Sequence, residues 1–153
     1  MIDYDAKTLR EMFGKPIRPT IPISLSEVAA QAQKLAGKLS ISGVQPKLSV
    51  RLEGGQLVTV DHDGQFILKP QTQEFAELPQ NEHLCMNMGR AFGLSTARCL
   101  LLELSDGSPA YVVRRFDRFK TGRRVEKLAC EDMQQILGGQ DKYAGSHEQI
   151  AAA

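Results

Sequence analysis

Three short strand patterns, separated by tight turns, constrain the fold of this chain most strongly. Apolar and polar residues alternate over 48–52, and mainly apolar runs follow at 57–60 and 66–69. Glycine-containing turns separate these runs, at 54–55 and at 61–64. This spacing predicts three strands that pair as an antiparallel meander.

Helical patterns stand on both sides of these strands. A short helix is predicted at residues 3–13, and the three prolines that follow it predict an extended arm with little core. Residues 24–27 form the capping-box pattern S-x-x-E, which predicts a helix that ends near Gly37. Pro79 begins another predicted helix, which runs through Phe92.

The helix that begins at Pro79 is predicted to pack on a sheet, because apolar residues recur along it at helical spacing. This apolar stripe consists of Leu84, Met88 and Ala91, widened by Cys85 and Phe92.

Two further strands are predicted at 97–104 and 110–116, joined as a hairpin. Their near-continuous apolar character favours central strands that are covered on both faces. A basic loop at 117–124 and a helix at 129–137 follow. The order of elements predicts an α+β fold, with a five-stranded antiparallel sheet and flanking helices.

Composition and charge exclude several classes of protein. The 153 residues favour a single domain, and a net charge of +1 indicates no direct binding of nucleic acid or of an anionic membrane. Cys85, Cys99 and Cys130 are too widely spaced to predict a disulfide framework or a zinc site, and the first two are predicted to be small core residues. The chain shows no long apolar run and no signal-peptide pattern, so we expect a cytoplasmic protein.

A loop, a lysine and a glutamate follow one another in an order that suits phosphate binding. Residues 40–47 contain a polar loop with small residues, whose backbone N–H groups can face an anion. Lys69 ends a later strand, and Glu82 stands near the start of the next helix. Protein kinases hold a strand lysine over the ATP phosphates with a helix glutamate. Each residue also has an ordinary interpretation, since Lys69 could be a surface lysine and Glu82 would suit the helix dipole.

Five segments of the sequence carry a resemblance to a known family. The chain resembles the HipA-like serine/threonine kinases of bacterial toxin–antitoxin systems, and most closely the short HipT form, which lacks the extra N-terminal subdomain of HipA. Its order of helices and strands is similar to that of a protein-kinase N-lobe. The matching segments are residues 40–48, 66–70, 78–83, 113–118 and 131–133.

The resemblance implies a role for each matching position. The loop from Gly43 to Lys47 would cover the ATP phosphates, Lys69 would contact them with Glu82 as its partner, and residues 114–116 would form a hinge to a second lobe. The implied nucleotide-binding residues are Ser42, Gly43, Val44, Gln45, Lys47, Lys69, Glu82, Arg114 and Phe116.

Three side chains in these segments have two interpretations each. Ser40 and Ser42 stand where HipA and HipT phosphorylate themselves, although small residues also suit a turn. Asp117 is a candidate for ribose or hinge contacts, or else it is a strand-ending residue paired with Arg115 or Arg118.

The resemblance also implies a domain plan and partners. Residues 1–23 would be an N-terminal arm, 24–125 the N-lobe-like domain, and 126–153 a helix and tail that start an absent C-lobe. ATP and Mg²⁺ would be the cofactors, with the metal ligands supplied by the missing lobe. A HipB-like antitoxin, a HipS-like small subunit or a separate C-lobe chain would be the partner. An apolar patch near Phe116 and the predicted helix at 129–137 predicts self-association or binding of a partner.

Phosphotransfer is not expected from this chain alone. A kinase needs a catalytic aspartate and magnesium ligands that include an asparagine. After Asp117 the remaining aspartates are Asp132 and Asp141, and no asparagine follows them. Three hypotheses stay open: the nucleotide-binding half of a kinase toxin, a regulatory module that binds a partner without chemistry, and an inert remnant or generic α+β binding domain.

Overall fold

A computed structural model shows two compact units, Met1–Phe116 and Asp117–Ala153. The residues that the structure describes are 2–35, 45–72, 74–122, 124–138 and 146–152.

The first unit contains three helices and five strands in the described residues. In chain order they are α1 (Ala6–Phe13), α2 (Leu25–Leu35), β1 (Leu48–Glu53), β2 (Gln56–Thr59), β3 (Phe66–Pro70), α3 (Leu78–Ala91), β4 (Cys99–Glu103) and β5 (Pro109–Arg114). Two predicted helix starts are confirmed. The Ser24 backbone N–H donates to the Glu27 carboxylate at 2.7 Å ahead of α2, and Pro79 stands in the first turn of α3.

The five strands form one antiparallel sheet in the order β2-β1-β3-β5-β4, which confirms the predicted fold class. The predicted meander is wrong, because β1 lies between β2 and β3. The connection from β2 to β3 passes around β1, since Val60 N–H donates to the Ser49 carbonyl and Gln65 N–H to the Val50 carbonyl. Strand β4 lies at an edge of the sheet and is not central as expected.

One face of the sheet carries the hydrophobic core. Along β3 every second residue is buried, and the paired residues of β1 and β5 share that face. Helices α1 and α2 contribute buried residues to the same cluster. The buried members from the sheet are Leu48, Val50, Leu57, Phe66, Leu68, Leu100, Leu102, Ala110 and Val112.

The N-terminal segment is part of this core, contrary to the prediction of an arm with little core. Leu9 is 7%, Met12 2% and Ile21 3% exposed, and all three belong to the core cluster. The segment also reaches both edges of the sheet. Thr20 forms a parallel bridge with Gln56 of β2, and the Tyr4 hydroxyl accepts a hydrogen bond from the Leu101 N–H of β4 at 2.9 Å. The three prolines keep the chain extended, which suits an edge segment.

Helix α3 turns its predicted apolar stripe away from the sheet. Leu84 is 56%, Met88 50% and Phe92 82% exposed, and Ala91 and Cys85 are exposed as well. The polar side of the helix holds it instead. Arg90, for example, donates to the Ala97 carbonyl ahead of β4 at 3.1 Å. The prediction that this stripe packs on a sheet is therefore wrong, and of the two cysteines predicted to be core only Cys99 is buried.

The second unit contains a hairpin and two short helices in its described part: β6 (Arg118–Thr121), β7 (Arg124–Lys127), α4 (Met133–Ile136) and α5 (His147–Ala151). The hairpin replaces the basic loop expected at 117–124, because β6 and β7 pair along their full length. Asp132 caps α4 through a capping box with Gln135. Among the described residues of the chain, no helix has the length and apolar character needed to cross a membrane.

Candidate functional site

The candidate site lies on the sheet face opposite the core. Because side chains alternate along a strand, Ile67 and Lys69 of β3 point away from the buried Phe66 and Leu68. Cross-strand partners share a face, so Tyr111 and Val113 of β5 accompany them. The alternation that fills the core on one side therefore also places a lysine, an aromatic ring and apolar surface together on the other.

Lys69 and Glu82 meet on this face. The ammonium Nζ forms an ion pair and a hydrogen bond with the carboxylate Oε1. Their side chains are 24% and 26% exposed, so the pair is shielded in part from water. Lys69 stands on β3 and Glu82 in the first turn and a half of α3, and the contact therefore links the sheet to the helix. Such a contact holds the ammonium at one place above the sheet.

Tyr111 lies beneath this ammonium. It is the direct cross-strand partner of Lys69, its ring centroid lies 5.6 Å from Nζ, and it is 1% exposed. Burial raises the pKa of the Tyr111 hydroxyl well above its ordinary value, and the neighbouring Cys99 thiol raises it further. Burial likewise raises the pKa of Cys99. Both groups are therefore neutral at physiological pH.

Helix α3 is fixed next to Glu82 by a polar cluster. The His83 Nε2 atom lies 3.0 Å from the Asn87 side-chain nitrogen and 3.5 Å from the Tyr4 hydroxyl. Burial, with a smaller effect of the Arg90 charge, lowers the pKa of His83. The cluster connects α3 to the N-terminal segment and, through Tyr4, to β4.

The predicted phosphate loop is described in part. Ser40, Ser42, Gly43 and Val44 lie outside the described residues. The Gln45 side chain donates from Nε2 to the Pro70 carbonyl at 3.1 Å, directly after Lys69. Lys47 is half-buried. The end of the loop is thus attached to the strand that carries Lys69.

The predicted hinge lies where the first unit ends, at Phe116. The Arg114 N–H donates to the Arg98 carbonyl at 2.8 Å, and the Arg115 N–H donates to the Gln65 carbonyl at 2.9 Å. Phe116 is 76% exposed and is not a core residue. These two backbone donors are already engaged within the sheet.

Asp117 forms an ion pair with the neighbouring Arg118, and both side chains are 11% exposed. Its backbone carbonyl also accepts a hydrogen bond from Leu128 N–H at 3.0 Å. This arrangement corresponds to the alternative prediction, in which Asp117 is a strand-ending residue paired with Arg118.

Comparison with known proteins identifies the family. The family model of the HipA-like C-terminal domain matches residues 39–153. The chain belongs to this family. Among curated proteins, a candidate kinase of Haemophilus influenzae is 30% identical, over 97% of this HipA-like chain and 46% of the relative. A candidate kinase of Sinorhizobium fredii is 27% identical, over 73% of the chain and 30% of the relative.

A solved structure supports the fold of this HipA-like chain. HipA of Shewanella oneidensis, solved with HipB and its operator DNA, superposes with a TM-score of 0.56 at 22% identity. The match covers 84% of this chain and 34% of that protein. The chain therefore spans less than half the length of each of these relatives.

The site of this HipA-like chain combines the Lys69 ammonium, which is paired with Glu82, with a partly shielded apolar surface. An ammonium binds phosphate as a compact charge with three donors. Ile67 and Val113 are half-buried on the same face and suit contact with a planar ring. Among the described residues no group of His, Cys, Asp and Glu is arranged to hold a metal ion.

The sequence predicted the pairing of Lys69 with Glu82, which the structure confirms, but it gave no prediction for Tyr111. The position of Tyr111 opposite Lys69 follows only from the strand register, because it depends on the pairing of β3 with β5. A tyrosine within a mainly apolar strand otherwise indicates core.

Proposed function

We propose that this HipA-like chain is the nucleotide-binding N-terminal lobe of a serine/threonine protein kinase that acts in a toxin–antitoxin system. The observation that carries the proposal is the ion pair between Lys69 of β3 and Glu82 of α3, on the sheet face opposite the core. Kinases use this pair to hold the lysine over the nucleotide phosphates. The family match and the fold support the proposal.

The ligand proposed for this site is ATP with Mg²⁺. Lys69 contacts the phosphates, and the loop from Gly43 to Lys47 covers them. The base lies against Ile67 and Val113, with residues 114–116 at the hinge. The metal binds through the nucleotide phosphates and through residues beyond this site. The chain's own contribution to phosphotransfer is thus to bind and orient the nucleotide.

Partners and self-modification extend the proposal. HipA of Shewanella oneidensis was solved with HipB, which supports a HipB-like antitoxin as partner, with a HipS-like subunit or a separate C-lobe chain as alternatives. Ser40 and Ser42 are proposed as autophosphorylation sites, where a phosphate would repel the bound nucleotide. The three free cysteines agree with a cytoplasmic location.

Calorimetric titration with Mg·ATP tests the nucleotide site. We expect the wild-type chain to bind, and Lys69→Ala to weaken binding about tenfold or more, because a charge-assisted hydrogen bond to phosphate is removed. Lys7→Ala is the matched control, since it removes an exposed lysine of α1 and should leave the affinity unchanged. Equal binding by wild type and Lys69→Ala, or no binding by either, would contradict the proposal.

A second function, a partner-binding module without chemistry, is favoured by one observation. The first unit exposes an apolar side of α3, formed by Leu84, Met88 and Phe92, and this surface is available to bind a partner. This function predicts that Met88→Ser weakens capture of a HipB-like antitoxin while Lys69→Ala leaves it intact. The nucleotide-site proposal predicts no difference between these two variants in antitoxin capture. Comparing their antitoxin capture therefore separates the two functions.

A further inference from the structure

We propose that Tyr111 is a positioning residue, whose ring holds the Lys69 ammonium in place for a phosphate ligand. The proposal rests on the nucleotide site proposed above and adds a residue to it. Its basis is the stacking of the Lys69 ammonium over the Tyr111 ring, with 5.6 Å between Nζ and the ring centroid. That separation is within the range at which a cation is attracted to an aromatic face.

The location of Tyr111 supports a role at the lysine and not in the main core. Tyr111 is 1% exposed, but the core cluster is formed on the other face of the sheet and does not include it. As the cross-strand partner of Lys69, Tyr111 presents its side chain on the same face as the ammonium. Its ring therefore faces the Lys69 side chain and not the core cluster.

A neutral ring suits this position better than a second acid would. A carboxylate would neutralise the ammonium together with Glu82 and would compete with phosphate for its N–H donors. The π face attracts the cation but has no lone-pair acceptor, so the donors not used by Glu82 remain available to the ligand. The buried hydroxyl stays protonated because burial and the Cys99 thiol raise the pKa of Tyr111.

Two variants separate the ring from the hydroxyl. Tyr111→Phe keeps the aromatic face and removes the hydroxyl, whereas Tyr111→Leu keeps an apolar side chain and removes the face. We expect Tyr111→Phe to bind Mg·ATP within about twofold of wild type, and Tyr111→Leu to bind roughly three- to fivefold more weakly. Val112→Ala, at a buried position of the same strand that faces the core, controls for general loss of packing and should not change the affinity.

Nuclear magnetic resonance of the ligand-free chain tests the contact itself. The ε-methylene protons of Lys69, assigned by their loss in Lys69→Ala, should be shifted upfield by the ring current in wild type and in Tyr111→Phe. In Tyr111→Leu they should return to the usual lysine position. An ordinary lysine position in wild type, or an unchanged upfield shift in Tyr111→Leu, overturns the proposal.

The two readouts keep this inference distinct from the nucleotide proposal. If wild type shows the upfield shift but binds no Mg·ATP, the ring holds the lysine and the proposed ligand is wrong. If wild type binds Mg·ATP and Tyr111→Leu binds it equally well, the nucleotide site stands and the role of Tyr111 is refuted. If Tyr111→Leu does not fold, the shift in wild type and in Tyr111→Phe decides.

Discussion

Truncating Met12 should destabilise the first unit strongly, because the N-terminal segment is built into its core. Met12 is 2% exposed and packs within the cluster formed by α1, α2 and the sheet. Replacing a buried methionine by alanine loses transfer free energy and leaves a cavity, at a cost of about 3 kcal/mol. A domain of this size unfolds with about 5–15 kcal/mol, so Met12→Ala would remove a large share of its stability.

Urea unfolding followed by circular dichroism measures this loss, since the chain has no tryptophan to report by fluorescence. With a urea dependence of about 1–3 kcal/mol per molar, the midpoint should fall by about 1–3 M. Lys7→Ala, on the exposed side of the same helix, should change the stability by less than about 0.5 kcal/mol. If Met12→Ala unfolds at the same urea concentration as Lys7→Ala, the segment is an arm outside the core and our description of its packing is wrong.

Two further predictions concern the path of β1 and the pH dependence of α3. A Cβ atom at Gly64 would lie 1.9 Å from Ser49 Oγ and 3.2 Å from the Val50 nitrogen, so Gly64→Ala should lower the free energy of unfolding by about 1–3 kcal/mol. Adding Ser49→Gly should recover part of this loss in a double-mutant cycle, and strictly additive effects would refute the steric explanation. Burial lowers the pKa of His83 below its ordinary value of 6.5. Neutral His83 therefore contributes fully to the stability above that pH, and this contribution is lost as the pH falls toward the folded-state pKa. The urea midpoint should therefore fall between about pH 7.5 and about pH 5, and less steeply in His83→Gln. If the urea midpoint depends on pH identically in wild type and in His83→Gln, the titration of His83 does not contribute to the stability.

Much of the local structure could be predicted because it depends on short-range chemistry. The capping box at Ser24 and the proline at the start of α3 satisfy or remove helix-end donors within one turn, so their consequences do not depend on distant residues. Likewise, Lys69 near the end of β3 and Glu82 near the start of α3 are separated by only 13 residues, and one loop joins the two elements.

Long-range placement was less predictable. The spacing of the apolar residues in α3 indicated an amphipathic helix but did not tell which side would meet the sheet. In the structure the polar side meets it, through contacts such as that of Arg90 with the Ala97 carbonyl. The burial of Met12 and the insertion of β1 between β2 and β3 also involve residues far apart in the chain.

The sequence by itself determined the helices and strands of the first unit, the α+β class and the identity of the lysine–glutamate pair. Only the tertiary structure decided the strand order, the inclusion of the N-terminal segment in the core, and the ring of Tyr111 beneath Lys69. The physical reason is that capping and periodicity act over one or two turns of chain. The face that a residue occupies, and the neighbour it meets there, depend on the register between strands that are distant in sequence.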